Sequence, residues 1–394
     1  MSKLVGMVGS GRIARDPFDR RQWSSSSYFF FTELQRQGRL HRAFGVEVPA
    51  WKRYLYMLRN AHPRRQVWRE HFYMDLGYRS ALTAEIRKRL RPDDFAHDFI
   101  QIGAMFDGPS LMDGRARCFS YNDGNLADLL RSPHAPKGLS ARKIDRALAY
   151  EKQVYHGLGK IFCMSEYLRQ SFLTDFDVPP ERVVAIGGGI NLEAIPEFIP
   201  DKRYDTREVL FIGIDFPRKG GWELLKAFRG VTGRFPEARL HVVGPPELAI
   251  PPELQKGVVY HGFLSKFNPA DQAKLTDLFR RCSLFVMPSL YEPFGIAPLE
   301  AMVYQMPAVV TNRWALKELV TPGQTGDLVE CGSVDDLEAK LTALLSDPDG
   351  LKRMGETGRQ MVLDYYTWDK VVRRVLAEVD ATLAPACGLA LTAR

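Results

Sequence analysis

The sequence predicts two α/β domains, each a doubly wound parallel sheet, facing each other across a central cleft. Three observations lead there. The chain of 394 residues is longer than one ordinary hydrophobic core supports. Short apolar, β-rich runs recur along it with helically spaced stretches between them, which is the rhythm of βαβ units. That rhythm breaks at "NLEAIPEFIPDKRYDTRE", Asn191 to Glu208, where prolines, charges and weak periodicity predict a domain linker. The expected domains are therefore 1–195 and 205–369, with ligand at the carboxyl ends of the strands.

In the first half, strands are expected at "KLVGMVG", "RAFGVEV", "DFIQIG", "RCFSYN", "KIFCMS" and "RVVAIGGG". Helices are expected at "SSYFFFTELQRQG", closed by Gly38, and at "SEYLRQSFLTDF", opened by Ser165 as a cap. In the second half the strands are "VLFIGI", "ARLHVVG", "GVVYHGF", "SLFVMPS", "PAVVTN" and "GDLVE". The helices between them include "KGGWELLKAFRGV", "PADQAKLTDLFRRC" and "EAMVYQ", and Val334 to Leu383 is helical nearly throughout.

Composition sets limits. Hydrophobic residues make up 45% and charged residues 26%, so the whole chain is expected to fold. A net charge of +7 suits anionic substrates, an anionic membrane surface, or nothing beyond solubility, and charge alone does not decide among these. Cys118, Cys163, Cys282, Cys331 and Cys387 form no C-x-x-C pair, which predicts buried thiols in a reducing compartment. The first residues lack the marks of a signal peptide, and no segment reaches the about 20 apolar residues of a membrane span. A cytoplasmic protein is expected, with peripheral contact at the inner face of a membrane as one option.

The stretch "YEPFGIAPLEAM", Tyr291 to Met302, carries the chemistry. "SLFVMPS" before it has the length and continuous apolarity of a buried central strand. The turn "LYEPFG" follows, and helical spacing begins at Gly295, which places Pro298 in the first turn, where a missing N–H costs no internal hydrogen bond. The amides of Phe294, Gly295 and Ile296 are then open toward a ligand, and such a terminus attracts phosphate. Glu292 and Glu300 beside it would repel a bare anion. They suit a diphosphate flanked by hydroxyls, since one carboxylate accepts two hydroxyl hydrogen bonds.

"EPFGIAPLEAM" resembles the E-x7-E signature of the retaining glycosyltransferases of family 4, which have the GT-B fold of two Rossmann-like domains. "VLFIGIDFPRKGGWELLKAF", "LHVVG", "VVYHGFLS", "LFVMPSLYEPFGIAPLEAM" and "PAVVT" follow in the family's order. "MSEYLRQSFLTDFDVPPERVVAIGGGINLE" is similar to the segment that ends the family's N-terminal domain. The resemblance implies an acceptor-binding first domain and a donor-binding second one, with the chain end from about 370 to 394 packing back on the first. It implies that Glu300 binds ribose hydroxyls and that Glu292 binds hydroxyls of the transferred sugar. Phe294, Gly295 and Ile296 would hold the distal phosphate and sugar, with Gly213 and Leu264 also in the donor set. Lys219 of "RKGG" would neutralise the diphosphate leaving group. Where the family often has an arginine after the glycine of "VG", this chain has Ile214 and Asp215, so Arg218 is the expected replacement, or an ordinary surface arginine.

The first half offers less. Ser24, Ser25 and Ser26 lie where the family has a loop near the diphosphate and acceptor; the plain alternative is a helix cap. Asn122 and Asp123 stand where the family often has a histidine, so Asp123 either meets sugar or acceptor or caps "GNLADLLR". "VGSGRIA", Val8 to Ala14, matches a dinucleotide fingerprint, but "RDPFDRRQW" after it is not helical and no acidic residue closes a second strand, so the match reads as accidental. "DFD", Asp175 to Asp177, falls at a helix end, and no His/Cys/Asp cluster has ligand spacing, which predicts metal independence and no cofactor. "WKRYLYMLRNAHPRRQVWR", residues 51–69, interleaves aromatics with cations. It either lies on an anionic membrane or forms a solvated helix with its aromatics in the core. Nucleic-acid binding is not expected.

The expected function is transfer, with retention, of a hexose from a UDP- or GDP-linked sugar to a glycan or lipid-linked acceptor in cell-surface polysaccharide or glycoconjugate synthesis. The diphosphate oxygen would take the acceptor proton, so the protein needs positive charge and positioning more than acids and bases. A sugar-nucleotide epimerase on the same fold would need an extra acid/base pair, and an NAD-dependent oxidoreductase would depend on Gly9 and Gly11.

Overall fold

The computed structural model describes residues 3–9, 16–20, 25–133 and 135–382, apart from the side chains of 66, 69 and 70. The chain divides into two compact units, Met1–Gly189 with Trp368–Arg394, and Ile190–Thr367.

The first unit carries β1 (Leu4–Val8), β2 (Leu40–Gly45), β3 (Asp98–Ile102), β4 (Cys118–Asn122), β5 (Ile161–Cys163) and β6 (Val183–Ala185). They form one parallel sheet in the order β2-β1-β3-β4-β5-β6. Strands β1 and β4 are buried along their whole length, as expected of parallel strands covered on both faces. Helix Ser26–Arg36 buries Phe30, Phe31 and Leu34, and the Phe30 ring stacks on Tyr121 at 4.9 Å. Gly38 (φ +69°) follows that helix, and the Ser165 side chain accepts from Leu168 N at the start of Glu166–Asp175. Helix Trp368–Ala381 packs here through buried Val371, Val372, Val375 and Val379, with Asp380 paired to Arg39 at 2.7 Å and Glu378 to Lys160 at 2.5 Å.

Residues 51–69 differ from the reading that puts their aromatics in the core. Every residue of helix Ala50–Arg59 is at least partly exposed, and Trp51 and Tyr54 are 62% and 59% exposed. Only Tyr56 and Met57 pack on the core, while Trp68 donates its indole N–H to Met57 O at 2.6 Å. The helix is two-faced: spacing groups Trp51 with Tyr54 and sets Tyr56 apart, and packing decides that the Trp51 face is the one left to solvent.

The second unit carries β7 (Glu208–Ile212), β8 (Arg239–Val243), β9 (Val258–Tyr260), β10 (Leu284–Met287), β11 (Ala308–Thr311) and β12 (Gly326–Val329). Their parallel order is β12-β11-β10-β7-β8-β9. The chain winds outward from β7 on one side and from β10 on the other, so the switch point lies between these two central strands. Asn191 to Glu208, read as a linker, is packed against this unit. Ile199 N donates to Gln305 Oε1 at 2.6 Å, Arg359 donates to Pro196 O at 2.7 Å, and the buried Lys202 ammonium donates to Phe279 O and Arg280 O at the end of helix Pro269–Arg281. Its prolines prevent regular structure, and tertiary hydrogen bonds satisfy its backbone instead.

Among the described residues no helix is long and apolar enough to cross a membrane. Cys118, Cys163 and Cys282 are buried free thiols and Cys331 is half-buried, while Cys387 lies outside the described residues.

Candidate functional site

The carboxyl ends of β7 and β10 bring the second-unit candidates together. Gly213 follows β7 and donates its N–H to Val243 O at 2.8 Å. The chain then makes a turn over 216–220 before helix Gly221–Arg234 begins. Gly220 caps that helix with φ +72°, and a Cβ there would lie 2.0 Å from Pro288 O, so only glycine lets the turn rest on the end of β10. At Gly213 a Cβ would come 2.9 Å from the stem of Lys219, so the space left by this glycine holds the lysine.

Arg218 and Lys219 then converge. Lys219 Nζ pairs with Glu292 Oε2, and Arg218 reaches the same oxygen at 3.4 Å and Tyr291 O at 2.9 Å. Neighbours on a regular helix diverge, but these two belong to a turn and meet at one carboxylate. Asp215 holds Arg218 from its exposed side at 3.0 Å. Glu292 is only 8% exposed, so this cluster interacts with less screening than surface pairs have.

Helix Ile296–Val303 starts four residues beyond Glu292. Gly295 is its N-cap in the left-handed region (φ +102°), and Pro298 sits in the first turn, as the sequence requires. The amides of Phe294, Gly295 and Ile296 find no acceptor among the described residues, and they form the positive end of the helix dipole. Glu300, in the next turn, is 3% exposed and pairs with Lys266 Nζ at 2.5 Å. Leu264 is buried in the segment that follows β9 and leads to Lys266.

Lys266 went unnoticed in the sequence because its partner lies 34 positions away. Ser289 was also missed: it is fully buried after β10, and its hydroxyl has no hydrogen-bond partner among the described residues. Its signal was a serine closing an otherwise apolar strand.

The first-unit candidates form no such charged cluster. Ser24 and most of Val8 to Ala14, including Gly11, lie outside the described residues. Ser25 occupies the N-cap position of helix Ser26–Arg36 with φ +74°, but its hydroxyl donates to Arg20 O at 2.5 Å and caps nothing. The left-handed backbone turns the side chain away from the helix amides. Ser26 is 1% exposed. Asp123 follows β4 and is half-buried; Asn125, and not Asp123, caps Leu126–Arg131 by accepting from Asp128 N at 2.8 Å. Asn122 is 1% exposed, with its amide nitrogen bonded to Ser120 and Phe162 O and its oxygen without a hydrogen-bond partner among the described residues.

"DFD" is a helix terminus. Asp175 pairs with Arg131 at 2.6 Å and Asp177 with Lys152 at 2.5 Å. Among the described residues, sequence spacing does conceal one group of potential ligands: Glu208, His241 and Cys282 place ligand atoms within 4.8 Å of one another. Arg281 already occupies it, 2.9 Å from Glu208 and 3.2 Å from the His241 ring. Burial pushes the Cys282 thiol up to about 12, so it is a neutral thiol beside that ion pair.

Residues 196–361 match the family model described as "Glycosyl transferases group 1". The chain is 28% identical over 245 residues to an MMP alpha-(1->4)-mannosyltransferase of Mycolicibacterium hassiacum, covering 59% of this chain and 57% of that one. It is 30% identical over 241 residues to a D-inositol 3-phosphate glycosyltransferase of Streptomyces bingchenggensis, covering 56% and 52%. The chain thus spans somewhat more than half the length of these curated relatives. Among solved structures it is similar to the sucrose-phosphate synthase of Thermosynechococcus elongatus, with TM-score 0.72, 15% identity and coverage of 97% of this chain and 99% of that one. It is also similar to Anabaena HepE, solved in complex with UDP and glucose, with TM-score 0.63, 15% identity and coverage of 97% and 100%. The two parallel-sheet units therefore have the Rossmann-like GT-B fold, and the segment 196–361, which carries Lys219, Glu292 and Glu300, is one that matches the group 1 glycosyl transferases.

Proposed function

We propose that the protein is a retaining glycosyltransferase of family 4. It transfers a hexose from a UDP- or GDP-linked sugar to a glycan or lipid-linked acceptor, in cytoplasmic synthesis of cell-surface polysaccharide or glycoconjugate. The observation that carries this reading is the pairing of Glu292 with Lys219 and Arg218 beside the open amides of Phe294, Gly295 and Ile296. The mannosyl- and inositol-phosphate glycosyltransferase relatives and the UDP-bound neighbour point the same way.

The ion pairs of Glu292 and Glu300 are what such a site holds before its ligand arrives. Acidic and basic clamps satisfy each other in a region of low exposure, and a nucleotide sugar offers each a better partner. Its diphosphate takes Lys219, Arg218 and the helix amides, its sugar hydroxyls take Glu292, and its ribose hydroxyls take Glu300. Gly213 and Leu264 complete the donor site. Ser24, Ser25, Ser26 and Asp123 are assigned to the diphosphate loop and acceptor.

In the reaction the bond from the anomeric carbon to the diphosphate breaks as the bond to the acceptor oxygen forms on the same face. The acceptor proton passes to the departing phosphate oxygen. Lys219 and the helix dipole stabilise the charge that grows there, so no metal or further cofactor is required of the site. Thermal shift with a panel of nucleotides and nucleotide sugars tests the donor class, since a ligand of the folded state raises the melting temperature. A rise with one UDP- or GDP-sugar, followed by a product of retained configuration, is expected. An inverted product, or no rise across the panel, contradicts the proposal.

A further inference from the structure

Helix Ala50–Arg59 presents Trp51, Tyr54, Leu55 and Leu58 to solvent, 62, 59, 57 and 68% exposed. Their spacing of three, one and three positions aligns them on one face. The opposite face anchors the helix rigidly. Tyr56 meets Tyr78 edge-on at 6.1 Å, and Asn60 donates to Asp75 at 2.8 Å. Apolar side chains of this size in a row do not serve the fold, so they mark an interaction surface.

Charge identifies its partner. Residues 51–69 contain Lys52, Arg53, Arg59, Arg64, Arg65 and Arg69 and no acidic residue. Beside the helix lies a cavity of about 380 Å³ lined by Arg59, Asp75, Arg142, Lys143 and Arg146, four cations against one acid. A second copy of this chain would bring the same cations face to face, and a neutral apolar partner would leave them unused. An anionic bilayer satisfies both features, with aromatic and leucine side chains at the acyl boundary and cations at the head groups.

We propose that helix Ala50–Arg59 docks the protein on an anionic lipid bilayer, with the Arg59, Arg142, Lys143 and Arg146 cavity taking a phosphate-bearing head group. The proposal does not rest on the glycosyltransferase reading, because docking needs neither donor nor acceptor.

Co-sedimentation of the full chain with vesicles tests it. Binding to phosphatidylcholine mixed with phosphatidylglycerol should exceed binding to phosphatidylcholine alone by about tenfold or more and fall as salt is raised. Trp51→Glu with Leu58→Glu should lower it by about tenfold or more. Both positions are exposed, so the circular dichroism spectrum should not change. Arg142→Glu with Arg146→Glu should reduce binding on mixed vesicles toward the level on neutral ones. Equal binding to both vesicle types, or no loss in the first double variant, overturns the proposal. A dimer in size-exclusion chromatography that Leu58→Glu separates, without vesicle binding, assigns the face to a second copy instead. Inorganic phosphate binding without vesicle binding assigns the cavity to free anions. Either result overturns the proposal.

Discussion

The two sheets have the same number of parallel strands, yet their carboxyl ends are furnished differently. In the second unit the ends of β7 and β10 hold Lys219, Arg218 and Glu292 in one ion-paired cluster beside unsatisfied helix amides. In the first unit the end of β4 offers Asn122 and Asp123, and the nearby core is aromatic, with Tyr121 stacked on Phe30. Under the proposed function the first of these ends would neutralise a diphosphate and the second would meet acceptor hydroxyls, so that similar folds would divide one reaction between them.

The largest effect is expected at Lys219. Lys219→Ala should lower transfer by about 10²-fold or more, because a cation aimed at a departing phosphate acts mainly in the transition state. Glu292 keeps Arg218 as a partner, so folding should survive. Steady-state assays should show the loss mainly in kcat, and full turnover would remove Lys219 from the leaving-group role.

Gly220→Ala tests the support of that cluster. Its Cβ would lie 2.0 Å from Pro288 O at φ +72°, so the turn carrying Lys219 must shift. A stability loss of about 2–4 kcal/mol in denaturant unfolding is expected, and a loss near zero would show that the turn adapts.

Asp123→Asn probes the other side of the contrast. Transfer should fall by about tenfold while donor affinity stays unchanged; weakened donor binding would dissolve the division of labour.

A smaller effect belongs to Lys202, which ties the 191–208 segment to the second unit. Burial pulls its ammonium down to about 8 from 10.5. Between those values the unfolded chain binds more protons than the folded one, so this group adds stability as pH rises from 8 toward 10.5, at roughly 1 kcal/mol per pH unit, and its cost is constant below. Thermal melts of wild type and Lys202→Met at pH 7.5 and 9.5 should show the wild type gaining on the variant at the higher pH. A constant difference would mean that the lysine is not desolvated.

All twelve strands among the described residues overlap runs read from the sequence, with β2 starting two residues and β7 one residue before theirs. Strands such as β10 and β11 are buried on both faces, so they appear as continuous apolar runs, and their short length and β-branched content separate them from buried helices. The helix start at Gly295 was equally clear, because a glycine followed by a first-turn proline has few other conformational uses. What stayed hidden depends on pairing across the chain. Lys266 is one lysine among many until Glu300 is placed beside it. Asn191 to Glu208 looks like a linker because its anchors, Gln305 and Arg359, lie over a hundred positions away. Ser25 fits the composition of a cap, but its left-handed backbone directs the hydroxyl elsewhere. Helix Ala50–Arg59 has the apolar content of a core helix, and only packing reveals that half of it faces solvent.

Under the proposed function the end of the second sheet binds a nucleotide sugar through groups that pair with each other in its absence. Isothermal titration of the full chain and of Glu300→Ala with the donor found by thermal shift tests it most directly. A carboxylate that holds two ribose hydroxyls predicts an affinity at least about tenfold weaker in the variant. Equal affinity would place the donor elsewhere.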